Sequence, residues 1–520
     1  MRELPLLRFW TAWLLVTAAV CGAVVMALEL LGARLLSVAY GGSLTVWAAM
    51  IAVTLLSLAA GYFAGGWLAD RFPRPGLLYG VLLLAAALIT ACPHTRFILK
   101  ACHATLGLRG GALASSAIIF ALPLALMGIV SPFIIRLLCQ EGCGVGVRAG
   151  GVYGVSTLGS VAGTLLTGLW LIPGFGTSAA FRITAVSAAV TAAVGLVDAW
   201  RWKGAAALIA PLVLAFVPLA AGRVGQSYVA PDGDRVEIKA VRDSAHGQIT
   251  VLDKGRYRLL VVNGIVQTGI PRNMAALSKG QCLAMDYFQE LLPYTVDDPR
   301  QTSALVIGLA GGMTASLLAL YDIAVDCVDV DPEIIAVARE FFSFQGQAVA
   351  ADGRQYLESC RKRYDFCVLD TYSGDVFPFH LGTREAFESA RGVLKPGGVL
   401  AVNYIGAPGG RAFACLYLTL QQVFPHVLAI GGEPGTDVQT ITVFASEREI
   451  EFNKGWLDVL GGTTGVDPVS AAIERLTVKP ARADAFVLSD EYNPVDFLRA
   501  DEALRWRQRT VRNIGEQGLF

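Results

Sequence analysis

The chain has 520 residues, of which 54% are hydrophobic and only 16% charged, and its formal net charge is zero. The charge is unevenly distributed, because residues 1–222 carry 13 basic and 5 acidic side chains whereas residues 223–520 carry 29 basic and 37 acidic ones. This composition excludes a single soluble domain. The acidic second part has no basic patch, so we expect no nucleic-acid partner.

The first 222 residues contain seven apolar segments that approach or exceed the ~20 helical residues needed to cross a bilayer. These segments are 9–33, 44–68, 76–93, 112–138, 150–172, 178–198 and 204–222. Their glycine and alanine content is typical of closely packed membrane helices. Residues 1–222 are therefore predicted to form an all-α polytopic membrane bundle of about seven spans, with an additional re-entrant or spanning segment in 95–108 as an alternative.

Two polar features within this half bear on function. Glu29 lies in or at the end of the first apolar segment, where an ionisable group is costly and often functional. A structural ion pair with Arg34 and an amine-binding role both remain open. The segment Gly65–Pro75, GGWLADRFPRP, resembles a short cytoplasmic loop of major-facilitator transporters, although a basic turn also explains it. A transporter or sensor is thus one hypothesis for the whole chain.

Residues 223–300 are predicted to be a polar linker and a small β-subdomain. Short alternating runs at 236–241, 247–252 and 258–264 indicate strands, and the Asp253–Lys254–Gly255 turn indicates a hairpin between the last two. A helix is expected near Lys279–Leu292.

A nucleoside-binding pattern begins at Ala304. The segment Ala304–Gly312 predicts a buried strand that runs into a glycine loop, and a helix and a second strand ending at Asp329 follow. Glycines let the backbone approach a ligand closely, and a carboxylate at the end of the second strand can accept hydrogen bonds from both ribose hydroxyls. The loop lacks a P-loop lysine, and Ala310 and Met313 replace two glycines of the dinucleotide fingerprint. We therefore expect a phosphate-free nucleoside.

Three consecutive predicted strands end in aspartates: Asp329, Asp352 and Asp370. The carboxyl ends of parallel strands form the ligand crevice of an open sheet, so these side chains are expected to converge. Helix capping is the alternative role for each of them. Residues 301–520 are predicted to form an α/β Rossmann-like, methyltransferase-type domain. The ten cysteines show no zinc-ligand spacing, and no metal site is predicted.

These motifs resemble the spermidine synthase (aminopropyltransferase) family, and most closely its membrane-fused branch, over about Val236–Ile441. The segments that carry the resemblance are Gly247–Gln248, Leu260–Gln267, Gly308–Met313, Asp329–Val330–Asp331, Asp352–Gly353, the DTYSGD segment opening at Asp370, Phe377–Phe387 and Leu488–Leu498. The resemblance implies that Asp370 is catalytic. It implies nucleoside contacts from Gln248, Gln289, Gly308, Asp329, Asp352 and Gly353. Weaker substrate contacts are implied for Glu290, Tyr372 and Asp375.

The resemblance also implies the reaction partners. The co-substrate would be decarboxylated S-adenosylmethionine or S-adenosylmethionine itself, with no prosthetic group, and the acceptor a polyamine. A homodimer is compatible with the family. Since the sulfonium is made in the cytoplasm, we place the soluble domain on the cytoplasmic side of the cell (inner) membrane. The distribution of basic residues among the loops weakly favours a cytoplasmic N-terminus, and seven spans would then place the soluble domain outside.

The chain departs from the family on the amine side of the site. Gly311 replaces an aspartate, Phe288 replaces a tyrosine, and Ser373 replaces a second acid. Three hypotheses therefore remain. The first is aminopropyl transfer. The second is another reaction of S-adenosylmethionine, either methyl transfer or a lyase or cyclisation reaction that yields methylthioadenosine. The third is polyamine or nucleoside transport or sensing without turnover.

Overall fold

The computed structural model describes most of the chain in two compact units. The described residues are 4–42, 44–139, 144–200, 209, 213, 224–272, 288–372, 374, 377–431, 436–453, 477–480 and 482–515. One unit comprises Met1–Arg223 with Asp243–Gly247, and the other Val224–Arg242 with Gln248–Leu519. Nearly all of the predicted span 204–222, most of the predicted helix 279–292, and Ser373 and Asp375 lie outside the described residues.

The first unit is helical. Its helices are α1 (Leu4–Tyr40), α2 (Leu44–Arg71), α3 (Pro75–Ala91), α4 (Arg96–Leu138), α5 (Val145–Leu166) and α6 (Ile172–Trp200). Within the described ranges, five helices are long and apolar enough to cross a membrane, judged by length and composition.

This number is two lower than the seven predicted spans. One of the two, 204–222, lies almost entirely outside the described residues. The other difference arises where the fifth and sixth predicted segments join. A π-helical turn, Thr167–Leu171, joins α5 to α6, so the fifth and sixth predicted segments form one element of 53 residues, Val145–Val197. Residues 96–108 form the first part of α4, which bends at Gly107, where φ is 66°.

Glycines bring the helices of this unit together. A Cβ atom added at Gly159 would lie 2.0 Å from the carbonyl oxygen of Ala19, and one at Gly65 would lie 2.7 Å from the Cα of Ile129. Helices α1 and α5, and likewise α2 and α4, therefore touch backbone to backbone. Small residues permit this approach, which maximises van der Waals contact between apolar helices.

The second unit begins with a five-stranded sheet. Its strands are β1 (Ser227–Val229), β2 (Arg235–Asp243), β3 (Gln248–Lys254), β4 (Tyr257–Val262) and β5 (Ile265–Pro271), in that order across the sheet. The predicted β3–β4 hairpin is confirmed, with Gly255 at a φ of 53° in its turn. Strands β1 and β5 were not predicted. The β4–β5 turn is Asn263–Gly264 with φ of 48° and 78°, as a type I′ turn requires.

An eight-stranded sheet follows. Its strands are β6 (Ser303–Ile307), β7 (Ala324–Asp329), β8 (Gln347–Ala350), β9 (Tyr364–Leu369), β10 (Leu394–Gly406), β11 (His426–Gly431), β12 (Gln439–Ser446) and β13 (Thr477–Val478). The order is β13-β11-β12-β10-β9-β6-β7-β8. Strands β6 to β10 pair in parallel, and β12 runs antiparallel to both neighbours. This topology confirms the predicted Rossmann-like, methyltransferase-type fold.

Helices connect and flank these strands. They are α7 (Met313–Ala319), α8 (Pro332–Phe341), α9 (Gly353–Ser359), α10 (Arg384–Gly392), α11 (Arg411–Val423), α12 (Val495–Leu498) and α13 (Ala500–Ile514). Alternate residues of β6 enter different apolar cores, Val306 one and Ile307 the other. Both faces of the sheet are thus buried, as expected for parallel strands. The strand order reverses between β6 and β9, which makes the crevice at their carboxyl ends the expected ligand position.

Candidate nucleoside-binding site

The glycine loop after β6 meets the chain after β9 at this reversal point. Gly308 has a φ of 93°, and a Cβ atom there would lie 1.9 Å from the carbonyl oxygen of Asp370. The N–H of Asp370 in turn donates to the carbonyl of Ile307 over 2.8 Å. Only glycine satisfies both the positive φ and the backbone contact. The predicted role of Gly308 in the loop therefore has a geometric basis.

Asp329 lies beside this loop at the end of β7. Its Oδ2 accepts from the N–H of Leu309 over 2.8 Å and its Oδ1 accepts from the N–H of Asp331 over 2.9 Å. Burial raises the pKa of the Asp329 carboxyl, and backbone N–H groups oppose that rise. Asp331 caps α8 by accepting from the N–H of Glu333 over 3.0 Å. Of the two acids, Asp331 therefore serves the helix, and Asp329 faces the loop that a ligand would contact.

Asp370 follows β9 and is held from both sides. Its Oδ1 accepts from Nδ2 of Asn403 over 2.7 Å. Burial is the main cause that raises the pKa of the Asp370 carboxyl; hydrogen bonds from Asn403 and Thr314 oppose the rise, and the nearby carboxylate of Asp329 adds to it. The two carboxylates thus lie within electrostatic reach of each other. The structure brings together these two of the three predicted strand-end aspartates.

Asp352 follows β8 and has two partners. Its Oδ1 accepts from the N–H of Gln355 over 3.0 Å, which caps α9, and its Oδ2 lies 3.3 Å from Nε2 of His380. The capping role considered as an alternative is therefore present. A Cβ atom at Gly353 would lie 2.5 Å from Cγ2 of Ile307, so this glycine lets α9 pack against the end of β6. Nucleoside contacts by Asp352 and Gly353 stay predictions.

The two predicted glutamines lie in different settings. The N–H of Gln248 donates to Oδ1 of Asn263 over 3.0 Å, which ties the start of β3 to the β4–β5 turn. Gln289 lies in a 3₁₀ helix, Phe288–Thr295, and is 2% exposed. Its Oε1 is buried and has no hydrogen-bond partner in the described part of the chain. A buried unpaired acceptor is rare in proteins and is the kind of group that a ligand donor satisfies.

Two of the three weaker substrate predictions, Glu290 and Tyr372, lie among the described residues. Glu290 is fully buried and accepts from the hydroxyl of Tyr321 over 3.0 Å. The hydroxyl of Tyr321 also lies 2.6 Å from that of Tyr294, so Glu290 belongs to a buried tyrosine cluster. The hydroxyl of Tyr372 accepts from the N–H of Ile405 over 2.7 Å. Asp375 lies outside the described residues.

Asn403 is a site residue that the sequence analysis missed. It lies near the end of β10, on the strand adjacent to β9, and directly contacts the Asp370 carboxylate. The signal was its place at the end of the fifth predicted strand, on the edge where the aspartates lie. Oδ1 of Asn403 and Oγ1 of Thr371 are both buried without a hydrogen-bond partner among the described residues. Asp370 and Asn403 thus place a carboxylate beside an unpaired amide oxygen, and both are acceptors suited to a cationic ligand.

Known proteins resemble this part of the chain. Residues 292–404, within the second unit, match the family described as Spermine/spermidine synthase domain. The polyamine aminopropyltransferase of Vibrio vulnificus is 33% identical over 126 residues, which are 22% of this chain and 42% of that protein. The N-terminal histidine N-methyltransferase of Emericella nidulans is 29% identical over 157 residues, 28% of either chain. The chain spans less than half the length of these two relatives.

Among solved structures, a probable spermidine synthase from Corynebacterium glutamicum is similar to this chain. It is 18% identical, and the match covers 54% of this chain and 94% of the other with a TM-score of 0.37.

Proposed function

We propose that this protein is a membrane-bound aminopropyltransferase. It transfers an aminopropyl group from decarboxylated S-adenosylmethionine to a polyamine and releases methylthioadenosine. One observation carries the proposal: Asp329 and Asp370 both border the Gly308 loop at the reversal point of the sheet. Asp329 accepts from the N–H of Leu309, and the backbone of Asp370 lies against Gly308, inside the 292–404 region that matches the synthase domain.

In this proposal the glycine loop and its neighbours hold the nucleoside. Gly308 lets the loop backbone approach the ligand, and Asp329 accepts hydrogen bonds from the ribose hydroxyls. Gln289 contributes its unpaired buried Oε1 as an acceptor. Gln248, Asp352 and Gly353 supply further contacts that the resemblance implies.

Asp370 then acts on the attacking amine. The amine nitrogen forms a bond to the carbon beside the sulfonium, the carbon–sulfur bond breaks, and its electron pair stays on the neutral thioether. An alkyl ammonium has a pKa near ~10, so the nucleophile must lose a proton to react. The raised pKa of Asp370 makes its carboxylate a better acceptor for that proton, which afterwards passes to water. Asn403 fixes the carboxylate in place, and alignment supplies much of the remaining rate enhancement.

The cellular setting is part of the same proposal. Residues 1–222 form a multi-pass domain in the lipid bilayer of the cell (inner) membrane, and residues 223–300 link it to the catalytic domain at 301–520. The catalytic domain lies on the cytoplasmic side, where its sulfonium co-substrate is made. Two chains form a homodimer, and the amine contacts of Glu290, Tyr372 and Asp375 complete the site.

A second candidate is a different reaction of S-adenosylmethionine, either methyl transfer or formation of methylthioadenosine without an acceptor. This candidate is favoured by the loss of family acidic residues on the side of the site where the amine would bind. A Cβ atom at Gly311 would lie 3.0 Å from both Thr268 and Phe342, so the loop is packed closely at the position where the family has an acidic side chain. The similarity to a histidine N-methyltransferase points in the same direction.

A product assay separates these candidates. The purified full-length chain is incubated with S-adenosylmethionine or its decarboxylated form, each with and without putrescine. Methylthioadenosine that appears only with the amine supports aminopropyl transfer. Methylthioadenosine without amine, or S-adenosylhomocysteine, supports the second candidate. Binding of a sulfonium with no product in any arm would contradict both and leave transport or sensing.

A further inference from the structure

Side chains extend the pairing of β9 and β10 beyond the point where their backbone ladder ends. The last ladder pair is Leu369 with Val402. One residue further on, Asn403 donates to Asp370, and two residues beyond that the N–H of Ile405 donates to the hydroxyl of Tyr372. The chain that carries Asp370 is therefore held against β10 by side chains at the very place where the reaction is proposed to occur.

Arg499, between α12 and α13, is hydrogen-bonded to the same residue, Ile405. It is 2% exposed, and its Nη2 donates to the carbonyl oxygen of Ile405 over 2.8 Å. Its guanidinium lies 5.2 Å from the ring centre of Tyr372 and 5.4 Å from that of Tyr404. Tyr372 and Arg499 thus bind the N–H and the carbonyl of one residue, in the space that a continuing β9 would occupy, and they stack on each other.

Burying an arginine in this way is costly, because the charge leaves water and each donor needs a partner. The Nε of Arg499 has no partner among the described residues. Glu502, which is 5% exposed, accepts from the hydroxyl of Tyr404 over 3.2 Å and lies within electrostatic reach of Arg499. A Cβ atom at Gly406 would lie 2.5 Å from Oε2 of Glu502, so glycine permits this approach. The stack on two aromatic rings offsets part of the remaining cost.

We infer that Arg499 is a positioning residue of the Asp370 site. By holding Tyr372 against the Ile405 peptide, it fixes the segment that begins at Asp370 and so sets the orientation of that carboxylate toward the acceptor. The carboxy-terminal region of the chain, outside the 292–404 region that matches the synthase domain, then forms part of the acceptor side of the site. This inference rests on the proposed function for its kinetic part only.

The first test does not depend on turnover. Amide hydrogen exchange is measured for the peptide containing Ile405 in the full chain, in Arg499→Met and in the matched control Arg505→Met, whose side chain is exposed and pairs with Asp437. Loss of the clamp should raise exchange at Ile405 about tenfold, the effect of losing one hydrogen bond, while the central strands stay protected. The control should match the wild type. Unchanged exchange at Ile405, or a rise spread evenly over the sheet, would overturn the inference.

The second test is kinetic. Arg499→Met should lower kcat about ten- to a hundredfold, as for a small misplacement of a catalytic group, while methylthioadenosine binding changes less than about twofold. Arg499→Lys keeps a donor for the carbonyl of Ile405 but loses the planar stack, so its kcat should lie between those of the wild type and Arg499→Met. Should Arg499→Met fail to fold, Arg499→Lys takes its place in the exchange experiment, and exchange at Ile405 must still rise above that of the wild type because the planar stack on Tyr372 is lost. An unchanged kcat in an active enzyme refutes the inference; absent activity in the wild type refutes the proposed function, and the exchange result still decides the role of Arg499.

Discussion

The helical unit and the sheet unit use glycine for the same geometric purpose with different results. A Cβ atom at Gly159 in α5 would lie 2.0 Å from the oxygen of Ala19, and one at Gly308 after β6 would lie 1.9 Å from the oxygen of Asp370. Both contacts bring two backbones together. Around Gly159 the neighbours are apolar helix surfaces. Gly308 instead lies near Asp329 and Asp370, at the carboxyl ends of the central strands.

The difference shows that a close backbone contact does not by itself make a functional site. In the helical unit it gives packing between helices whose surfaces are mostly apolar. In the sheet unit the same contact occurs where the strand order reverses, and reversal leaves a crevice. Asp329 and Asp370 border this contact, so in the proposed mechanism the chemistry depends on the charges beside the contact. Four experiments separate the contact from the charges.

The largest effect is expected from removing the charge and keeping the contact. Asp370→Asn should lower kcat about a hundred- to ten-thousandfold, the usual contribution of a general base, and leave methylthioadenosine affinity nearly unchanged. Product release by chromatography and binding by calorimetry measure the two quantities. Asp365→Asn, on the same strand but hydrogen-bonded to Ser303 at its other end, is the matched control and should keep its activity. Equal turnover in Asp370→Asn would contradict the proposed role.

The next effect comes from breaking the contact in each unit. Gly308→Ala places a methyl group against Asp370 at a positive φ and should abolish nucleoside binding. Gly159→Ala should instead destabilise the helical unit by about 1–3 kcal/mol through overpacking, with nucleoside binding intact. Thermal unfolding in detergent and calorimetry distinguish them. Gly66→Ala and Gly409→Ala, where nothing lies within 4 Å of an added Cβ, are controls expected to be silent. A loss of binding in Gly159→Ala would break the comparison.

A smaller effect is expected when the neighbouring carboxylate is neutralised. Asp329→Asn removes a charged acceptor for the ribose hydroxyls and should weaken methylthioadenosine binding about ten- to a hundredfold, because hydrogen bonds to charged groups contribute about 1.5–3 kcal/mol. It should also lower the pKa of Asp370, since the Asp329 charge raises it. Calorimetric affinity that matches the wild type would exclude Asp329 from the nucleoside site.

The smallest effect is a shift in pH dependence. A carboxylate base works only when ionised, so kcat/KM falls as pH is lowered through the pKa of Asp370. The hydrogen bond from Asn403 lowers that pKa, so Asn403→Leu should raise it and move the acid limb of the profile to higher pH. A pH–rate profile of both proteins measures the shift. Movement of the limb toward lower pH would mean that Asn403 does not stabilise the ionised carboxylate.

Much of the sheet unit could be predicted from sequence because its signals are local. The apolar run before Gly308, the acid at Asp329 and the turn at Gly255 each specify an element within about ten residues. The alternation of such runs with helices predicts a parallel sheet. Strand β1 and the π-helical junction at Thr167–Leu171 were missed because a three-residue edge strand and one widened helical turn leave no periodicity to detect.

The missed site residues have a different cause. Asn403 carried a usable signal, because it ends a predicted strand at the ligand edge. Arg499 carried none, since its burial against Tyr372 depends on a contact between segments 127 positions apart that no spacing in the sequence reports. Its surroundings are rich in charged residues, which by pattern alone indicate a solvated helix surface. Tertiary contacts decided its position.

The end of the β9–β10 ladder has a consequence for how the proposed site can evolve. Up to Leu369 and Val402 the two strands are joined by backbone N–H and carbonyl groups, which every amino acid except proline supplies. Past that point the hydrogen bonds are made by the side chains of Asn403, Tyr372 and Arg499, so a single substitution can remove any one of them. The β9–β10 ladder therefore tolerates most substitutions, while the side-chain contacts that position the proposed site can change through single mutations.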